Sequence, residues 1–322
     1  MLIRLAAMPT DVPLFMRQSP GSEGVWQNCT FSTTAVECDA CVVYERFQQP
    51  FEVRCPPERT LFISAEPPSV RPYHPRFLAQ FAQVITSQRR IQHPRALVEQ
   101  QGLPWHLGLY SSPLSHLPHY DDFQNLSWND KPHLLSVVCS DKAFTAGHRK
   151  RLQFVRALQE QLGEELQFFG RGFRTIEDKW ETIVPFQYHI AIENCCVNDY
   201  WTEKLSDAIL GGTHPFYVGA PNIHRYFASE ALTVLPYNSP SKAAQIIRES
   251  MAQNVARQSL AARQHARDQV LDEYNALALI CRTLQSITST SAPQTLRFLL
   301  EEPVKPPFSR RAWNRLKRAI KA

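Results

Sequence analysis

Apolar positions in this chain fall into short runs separated by polar stretches, and the two halves of the chain differ in rhythm. In the first half, Cys41–Tyr44, Thr60–Ser64 and Phe81–Ile85 read as strands, as does the apolar start of MLIRLAAMPTD. The second half is more regular. Leu134–Cys139 is a short, partly β-branched run, read as a buried strand. A polar loop, Ser140–Gly147, follows it. Leu152, Val155, Leu158 and Leu162 then recur at helical spacing, with Gly163 as the stop. Gln167–Phe169, Tyr188–Ile192 and Phe216–Val218 read as further strands, and Thr202–Leu210 as a short helix ending at Gly211-Gly212. Strand, helix, strand in repetition predicts right-handed crossovers and parallel sheets. Residues 255–287 read as one long helical stretch expected to pack back across the domains.

The segment 110–132 is polar, proline-containing and aperiodic, and reads as a linker. The expected architecture is α/β, with two Rossmann-like domains facing across a cleft. Residues 1–125 and 126–290 form the two domains, and 291–322 form a basic tail. A length of 322 residues suits two domains of ordinary size.

Composition narrows the function. The chain is 43% hydrophobic and 20% charged, which is globular, and its 24 prolines outnumber its 11 glycines. The net charge of +5 is carried wholly by residues 301–322, with seven basic and two acidic side chains. The rest of the chain is neutral, which excludes the basic face of a nucleic-acid binder. No apolar run approaches about 18 residues, so no transmembrane helix is expected. The N-terminal run is too short for a signal peptide. A cytoplasmic location is expected, and the sequons at Asn28 and Asn125 read as chance matches. Cys38 and Cys41 form a lone C-x-x-C without the second pair of a zinc site.

The chemistry concentrates in residues 186–221. Parallel α/β sheets bind ligands beyond the carboxyl ends of their strands. Glu193 and Asn194 stand at such an end, after Tyr188–Ile192. The loop 195–200 then leads to a helix with Thr202 as N-cap. Free N–H groups and the positive end of the helix dipole favour an anion there. Lys204 adds a full charge, and Glu203 can accept hydrogen bonds from sugar hydroxyls. A diphosphate suits this end. The bland alternative is a capped helix with a solvated lysine, and T-E-K alone would favour that. The joint arrangement of strand end, polar pair, aromatic loop and capped helix favours a ligand site.

This stretch resembles the donor motif of the glycosyltransferase family 10 α-1,3-fucosyltransferases. Tyr188, Ile192, Glu193, Asn194, Asp199, Tyr200, Thr202, Glu203, Lys204, Leu205, Pro215, Gly219 and Pro221 match it in order and spacing. The resemblance implies a glycosyltransferase-B fold, a GDP-fucose donor, and inversion at the anomeric carbon without a metal or other cofactor. It implies that Lys204 holds donor phosphates, and that Asn194, Tyr200 and Glu203 contact nucleotide or sugar. Upstream, Ser140 stands at a strand end and Arg151 takes the place of the family's diphosphate-gripping arginine. Arg149 and Lys150 compete for that role, and Asp141 stands where the family usually has Asn. In the first half, Glu66 follows the strand Thr60–Ser64. The resemblance makes it the base that deprotonates the acceptor, although Pro67 replaces the family's usual Ser. A carboxylate with its pKa raised by partial burial suits that task.

Residues 309–322 read as a basic amphipathic helix capped by Ser309, with Trp313, Leu316 and Ile320 on one face. Such helices lie on anionic membrane surfaces, so peripheral contact at the inner face of a membrane is one expectation and a solvated tail the other. The expected partners are a GDP-sugar and a glycan or glycoconjugate acceptor. A different nucleotide sugar, and a non-catalytic binding module on the same fold, remain as alternative readings.

Overall fold

A computed structural model of the chain describes residues 1–110, 116–128, 131–141 and 146–301. In chain order the strands are β1 (Leu2–Ala6), β2 (Val25–Trp26), β3 (Cys29–Ser32), β4 (Ala40–Tyr44), β5 (Phe51–Cys55), β6 (Thr60–Ile63), β7 (Gln83–Thr86), β8 (Ala96–Val98), β9 (His133–Val138), β10 (Leu166–Phe169), β11 (Phe186–Ile192), β12 (His214–Val218), β13 (Thr233–Val234) and β14 (Gln294–Phe298). The helices are α1 (Val12–Met16), α2 (Pro75–Leu78), α3 (Tyr120–Asn125), α4 (Ala146–Leu162), α5 (Trp180–Ile183), α6 (Glu203–Leu210), α7 (Pro240–Ala252), α8 (Val255–Gln258), α9 (Leu260–Asp272) and α10 (Ala276–Gln285).

Seven strands form the first sheet, in the order β2-β3-β1-β4-β6-β7-β8, parallel except for β2. The second sheet is β10-β9-β11-β12-β13, parallel throughout. These are the two expected Rossmann-like halves. Every residue of β4 is buried, because both faces of a parallel sheet are covered. Ala40, Val42 and Tyr44 belong to one apolar cluster, Cys41 and Val43 to another. The first of these clusters also takes in Leu205 and Ile209 of α6 and most of α10, so a single apolar mass joins the two halves. A separate cluster packs α4 and α7 onto the far face of the second sheet, around Tyr188, Ile190 and Ile192.

Three expectations are corrected. The stretch 255–287 is not one helix: it breaks at Ser259, and again before Asn275, whose side chain caps α10 by accepting the Ala278 N–H at 2.8 Å. The linker 110–132 contains α3, which buries Tyr120 and Phe123. The tail read from 291 onward begins with a strand, since β14 pairs antiparallel with β5, Gln294 opposite Cys55 through Phe298 opposite Phe51. The boundary read at 290 therefore gives way to a crossing segment. Both α10 and β14 pack on the first half, and a disulfide joins Cys281 of α10 to Cys29 of β3. The expected basic helix at 309–322 lies outside the described residues. Cys38, Cys41 and Cys55 are buried free thiols.

Candidate active site

Residues 186–221 fold as their pattern predicts. β11 ends at Ile192, and the Glu193 N–H donates to Val218 O of β12 at 2.8 Å. Glu193 is fully buried and takes both donors of Thr202, the N–H at Oε1 (2.7 Å) and the hydroxyl at Oε2 (2.7 Å). Thr202 in turn caps α6, its hydroxyl accepting the Lys204 N–H at 3.3 Å. Gly219 is required here: a Cβ on it would lie 2.0 Å from the Tyr217 hydroxyl and 2.6 Å from Glu193 Cγ.

Above this frame lies a cavity of about 340 Å³. Among the expected donor residues, Ser140, Arg151, Asn194, Glu203 and Lys204 line it. Glu193 and Thr202 sit beneath as its support, and Tyr200 is buried beside it rather than lining it. Arg151 turns inward from α4 and is 7% exposed. Its guanidinium donates to Asn194 Oδ1 and reaches Ser140 Oγ at 3.5 Å, while its Nε has no partner. Among the described residues no carboxylate pairs with it. A buried cation held only by neutral groups is costly unless an anion joins it.

Lys204 Nζ lies 2.7 Å from Glu203 Oε1, 3.2 Å from Thr202 Oγ1 and 3.8 Å from Glu193 Oε2. Burial opposes its charge, yet Glu203 and Glu193 hold the ammonium above its ordinary pKa. Burial likewise opposes the Glu203 charge, but Lys204, Lys179 and His106 hold that carboxyl well below the usual range. Glu193 behaves differently. Burial, with help from Glu203, pushes it up to about 7 against the pull of Lys204 and Thr202.

The cavity also holds residues that no motif marked. Lys179, just before α5, lines it and pairs with Asp207 at 2.7 Å. His106 comes from the first half, and the Asp207 carboxylate accepts its backbone N–H at 2.8 Å. His189 of β11 lines the floor, with Nδ1 2.8 Å from Ser136 Oγ. The Ser136 hydroxyl donates to Thr182 O, so His189 Nδ1–H is the donor and Nε2 the acceptor. Burial and nearby Lys179 lower its pKa to about 3, so the ring is neutral.

Glu66 lies in the turn after β6, outside this cavity. Burial, then Glu45, raises its pKa, while Arg46, Lys204 and Arg71 lower it. Lys204 of the second half therefore acts on it across the cleft, and the Tyr200 phenol is raised by burial first, then by Glu193, Glu203 and Glu66. The turn is held from below. Glu45, buried with φ +58°, accepts the Ala65 N–H at 2.7 Å, Arg71 Nη1 at 2.6 Å and the Tyr73 hydroxyl. Arg71 also pairs with Glu301, which accepts the His74 N–H at 2.6 Å. Gln88 donates to Glu66 O and Arg71 O, both at 2.8 Å.

With this geometry in view, the comparisons with known proteins are specific. The family model for glycosyltransferase family 10 (fucosyltransferase), C-terminal part, matches residues 128–299, just over half of the chain. The chain belongs to glycosyltransferase family 10. The matched part contains every donor-side residue named above except His106. A GDP-fucose protein O-fucosyltransferase 3 from Danio rerio is 35% identical over 74 residues, 22% of this chain and 16% of its own length. A 4-galactosyl-N-acetylglucosaminide 3-alpha-L-fucosyltransferase 9 from Homo sapiens is 30% identical over 105 residues, 31% of this chain and 29% of its own. This chain thus aligns with less than a third of either relative. The crystal structure of an alpha1,3-fucosyltransferase superposes with a TM-score of 0.50 at 16% identity, covering 89% of this chain and 91% of that one. That likeness concerns the fold, the two-domain glycosyltransferase-B arrangement.

Proposed function

We propose that the protein transfers L-fucose from GDP-fucose to a glycan hydroxyl, inverting the anomeric carbon without a metal in the transfer. The observation that carries this is the buried Arg151 guanidinium, which has no carboxylate partner among the described residues and lines one cavity with Lys204 at the capped end of α6. These are the groups a departing nucleoside diphosphate needs, and they are in place before its charge develops. A second cavity of about 450 Å³ adjoins the first at Asn194 and is lined by Val218, Gly219, Leu235 and Tyr237. It offers the nucleoside a place at the carboxyl ends of β12 and β13.

In this reading Glu66 accepts the proton of the acceptor hydroxyl as the oxygen attacks, and the bond to GDP breaks on the opposite side. A carboxyl whose pKa is raised toward neutrality is the better base. The acceptor is a glycan or glycoconjugate presented from the first half of the molecule. The basic residues 309–322 would serve contact with an anionic membrane, a reading that rests on their sequence alone. Among the described residues no helix is long and apolar enough to cross a membrane.

Titration calorimetry with GDP, UDP and CMP tests the donor, and GDP release from GDP-fucose with a panel of glycan acceptors tests the reaction. The reading expects GDP to bind tightest. It also expects Glu66→Gln to keep GDP affinity while turnover falls by roughly 10²–10⁴-fold. Tightest binding of UDP or CMP would point to another nucleotide sugar. Donor binding without turnover, with Glu66→Gln indistinguishable from the original, would point to a binding module.

A further inference from the structure

We propose that His116, His119 and Asp122 form a binding site for a divalent transition-metal ion, with zinc the best fit to two imidazoles and a carboxylate. Their ligand atoms all lie within 4.8 Å of one another, and no other such group of three occurs among the described residues. Nε2 of His116 is 2.9 Å from Asp122 Oδ2, and Nε2 of His119 is 3.5 Å from the same oxygen. Bonds of about 2.0–2.2 Å to a tetrahedral ion place neighbouring ligand atoms roughly 3.3–3.5 Å apart. The present spacing brackets that value. The three side chains are 53%, 25% and 33% exposed, so an ion can reach them and water can fill the remaining position.

A simpler role accounts for two of the three residues. His119 is the N-cap of α3 and Asp122 its third residue, and they form a reciprocal capping box. That box does not require His116, six residues upstream of Asp122 and aimed at the same oxygen. Nor does it account for Asp121. Oδ2 of Asp121 lies 3.1 Å from His119 Nδ1 and is itself fixed by the Gly21 N–H at 2.7 Å. As the cap, His119 Nδ1 accepts the Asp121 N–H at 3.3 Å; binding an ion through Nε2 moves the ring proton to Nδ1, which gives up that bond and donates to Asp121 Oδ2 instead, leaving the Nε2 lone pair facing Asp122 and His116. A carboxylate behind a ligating imidazole is the usual outer support of a metal site.

The location gives the ion a structural role. Helix α3 belongs to the connector between the halves and packs on Pro20–Ser22 of the first half and on α9 of the second. The Tyr120 hydroxyl donates to Asp272 at 2.6 Å. An ion at the start of α3 would fix the connector while leaving the transfer chemistry alone, since none of its ligands lines the donor cavity.

The test uses the full chain without a histidine tag, stripped with chelator. Calorimetry should show one zinc ion bound per chain, and cobalt should give the visible d–d band of a tetrahedral site. His116→Ala lies outside the capping box and should keep the fold, with zinc affinity down at least tenfold. Asp121→Asn should weaken it by about 10–100-fold. Zinc should raise the melting temperature of the original protein and leave that of His116→Ala unchanged. Absence of saturable zinc binding, or zinc affinity unaltered in both variants, would overturn the proposal.

Discussion

Replacing Lys204 by Met keeps the apolar stem and removes only the ammonium, so it isolates the charge that the donor cavity presents. Two effects follow from the geometry. The first concerns GDP: a charge-assisted hydrogen bond to a phosphate oxygen contributes about 1.5–3 kcal/mol. At 1.4 kcal/mol per tenfold, GDP should bind roughly 10–150-fold more weakly. The second effect concerns the empty protein. Lys204 stands 2.7 Å from Glu203 and 3.8 Å from buried Glu193. At an effective dielectric near 20, the 3.8 Å pair alone is an attraction of about 4 kcal/mol. Glu203 keeps Lys179 and His106, each at 3.9 Å, but Glu193 has no second cation within ion-pair distance among the described residues. Glu193, already raised to about 7, therefore moves further up and takes a proton at neutral pH, which limits the loss of stability. The assay is calorimetric titration with GDP beside urea unfolding, with Lys179→Met as the comparison. Lys179 lines the same cavity but is bound to Asp207, so its loss should weaken GDP less. GDP affinity within twofold of the original would refute the placement of Lys204 on the phosphates. Equal losses in both variants would reduce the site to a diffuse positive field.

Two further outcomes follow from buried carboxyls. Glu193 has a folded pKa of about 7 against an ordinary 4.5, so the native state holds its proton more tightly. Stability from this group is present below pH 4.5 and is lost as pH rises through 7, a change of about 3 kcal/mol; urea unfolding at pH 5 and pH 8 should show it, and Glu193→Gln should flatten it. An equal pH slope in the two proteins would mean that Glu193 is ionised throughout. Glu45→Ala leaves Arg71, Tyr73 and the Ala65 N–H without their shared acceptor, and should cost about 3–5 kcal/mol in unfolding free energy. Turnover should fall with GDP affinity held within about twofold, because none of these residues lines the donor cavity; unaltered turnover would separate the network from the reaction.

The donor half was legible because its chemistry is local. Strand end, loop, cap and first helical turn follow one another within residues 188–204, and each step has a sequence mark. Glu193 shows the limit of that reading. Its place at the strand end is correct, yet its carboxylate is spent on Thr202 and does not reach the cavity. Lys179, His106 and His189 were not legible, since nothing in the sequence around Lys179 or His106 says which sheet edge they will approach. Only the packing of α5 beneath β9 and β11 brings Lys179 to Asp207. Strand β14 was hidden for a similar reason. It is five residues long, precedes a basic stretch, and pairs with β5 from about 240 residues away. The break at Asn275 was missed because the apolar period continues through it, although an asparagine at a cap is a recognisable mark.

The crossing segment ties together the two separately built halves, as the proposed transfer requires. Arg151 and Lys204, the residues proposed to hold the leaving group, line a cavity in the second half, and the proposed base stands on the first, so their relative position must be set by something other than either sheet. Part of that comes from the apolar cluster shared by Leu205, Ile209 and α10 with Ile3, Leu5 and Val42. The chain then leaves the second half through α10, is tied to β3 by the Cys29–Cys281 disulfide, and adds β14 to β5. Three residues past β14, Glu301 reaches Arg71 and the His74 N–H, and Arg71 reaches Glu45, which holds the Ala65 N–H next to Glu66. An unbroken path of ion pairs and hydrogen bonds therefore runs from the end of the crossing segment to the turn that carries Glu66, the proposed base. The segment first read as a tail after the two domains is structurally part of the first half, and its burial of Glu301 against Arg71 gives those residues a packing role independent of the basic stretch that follows.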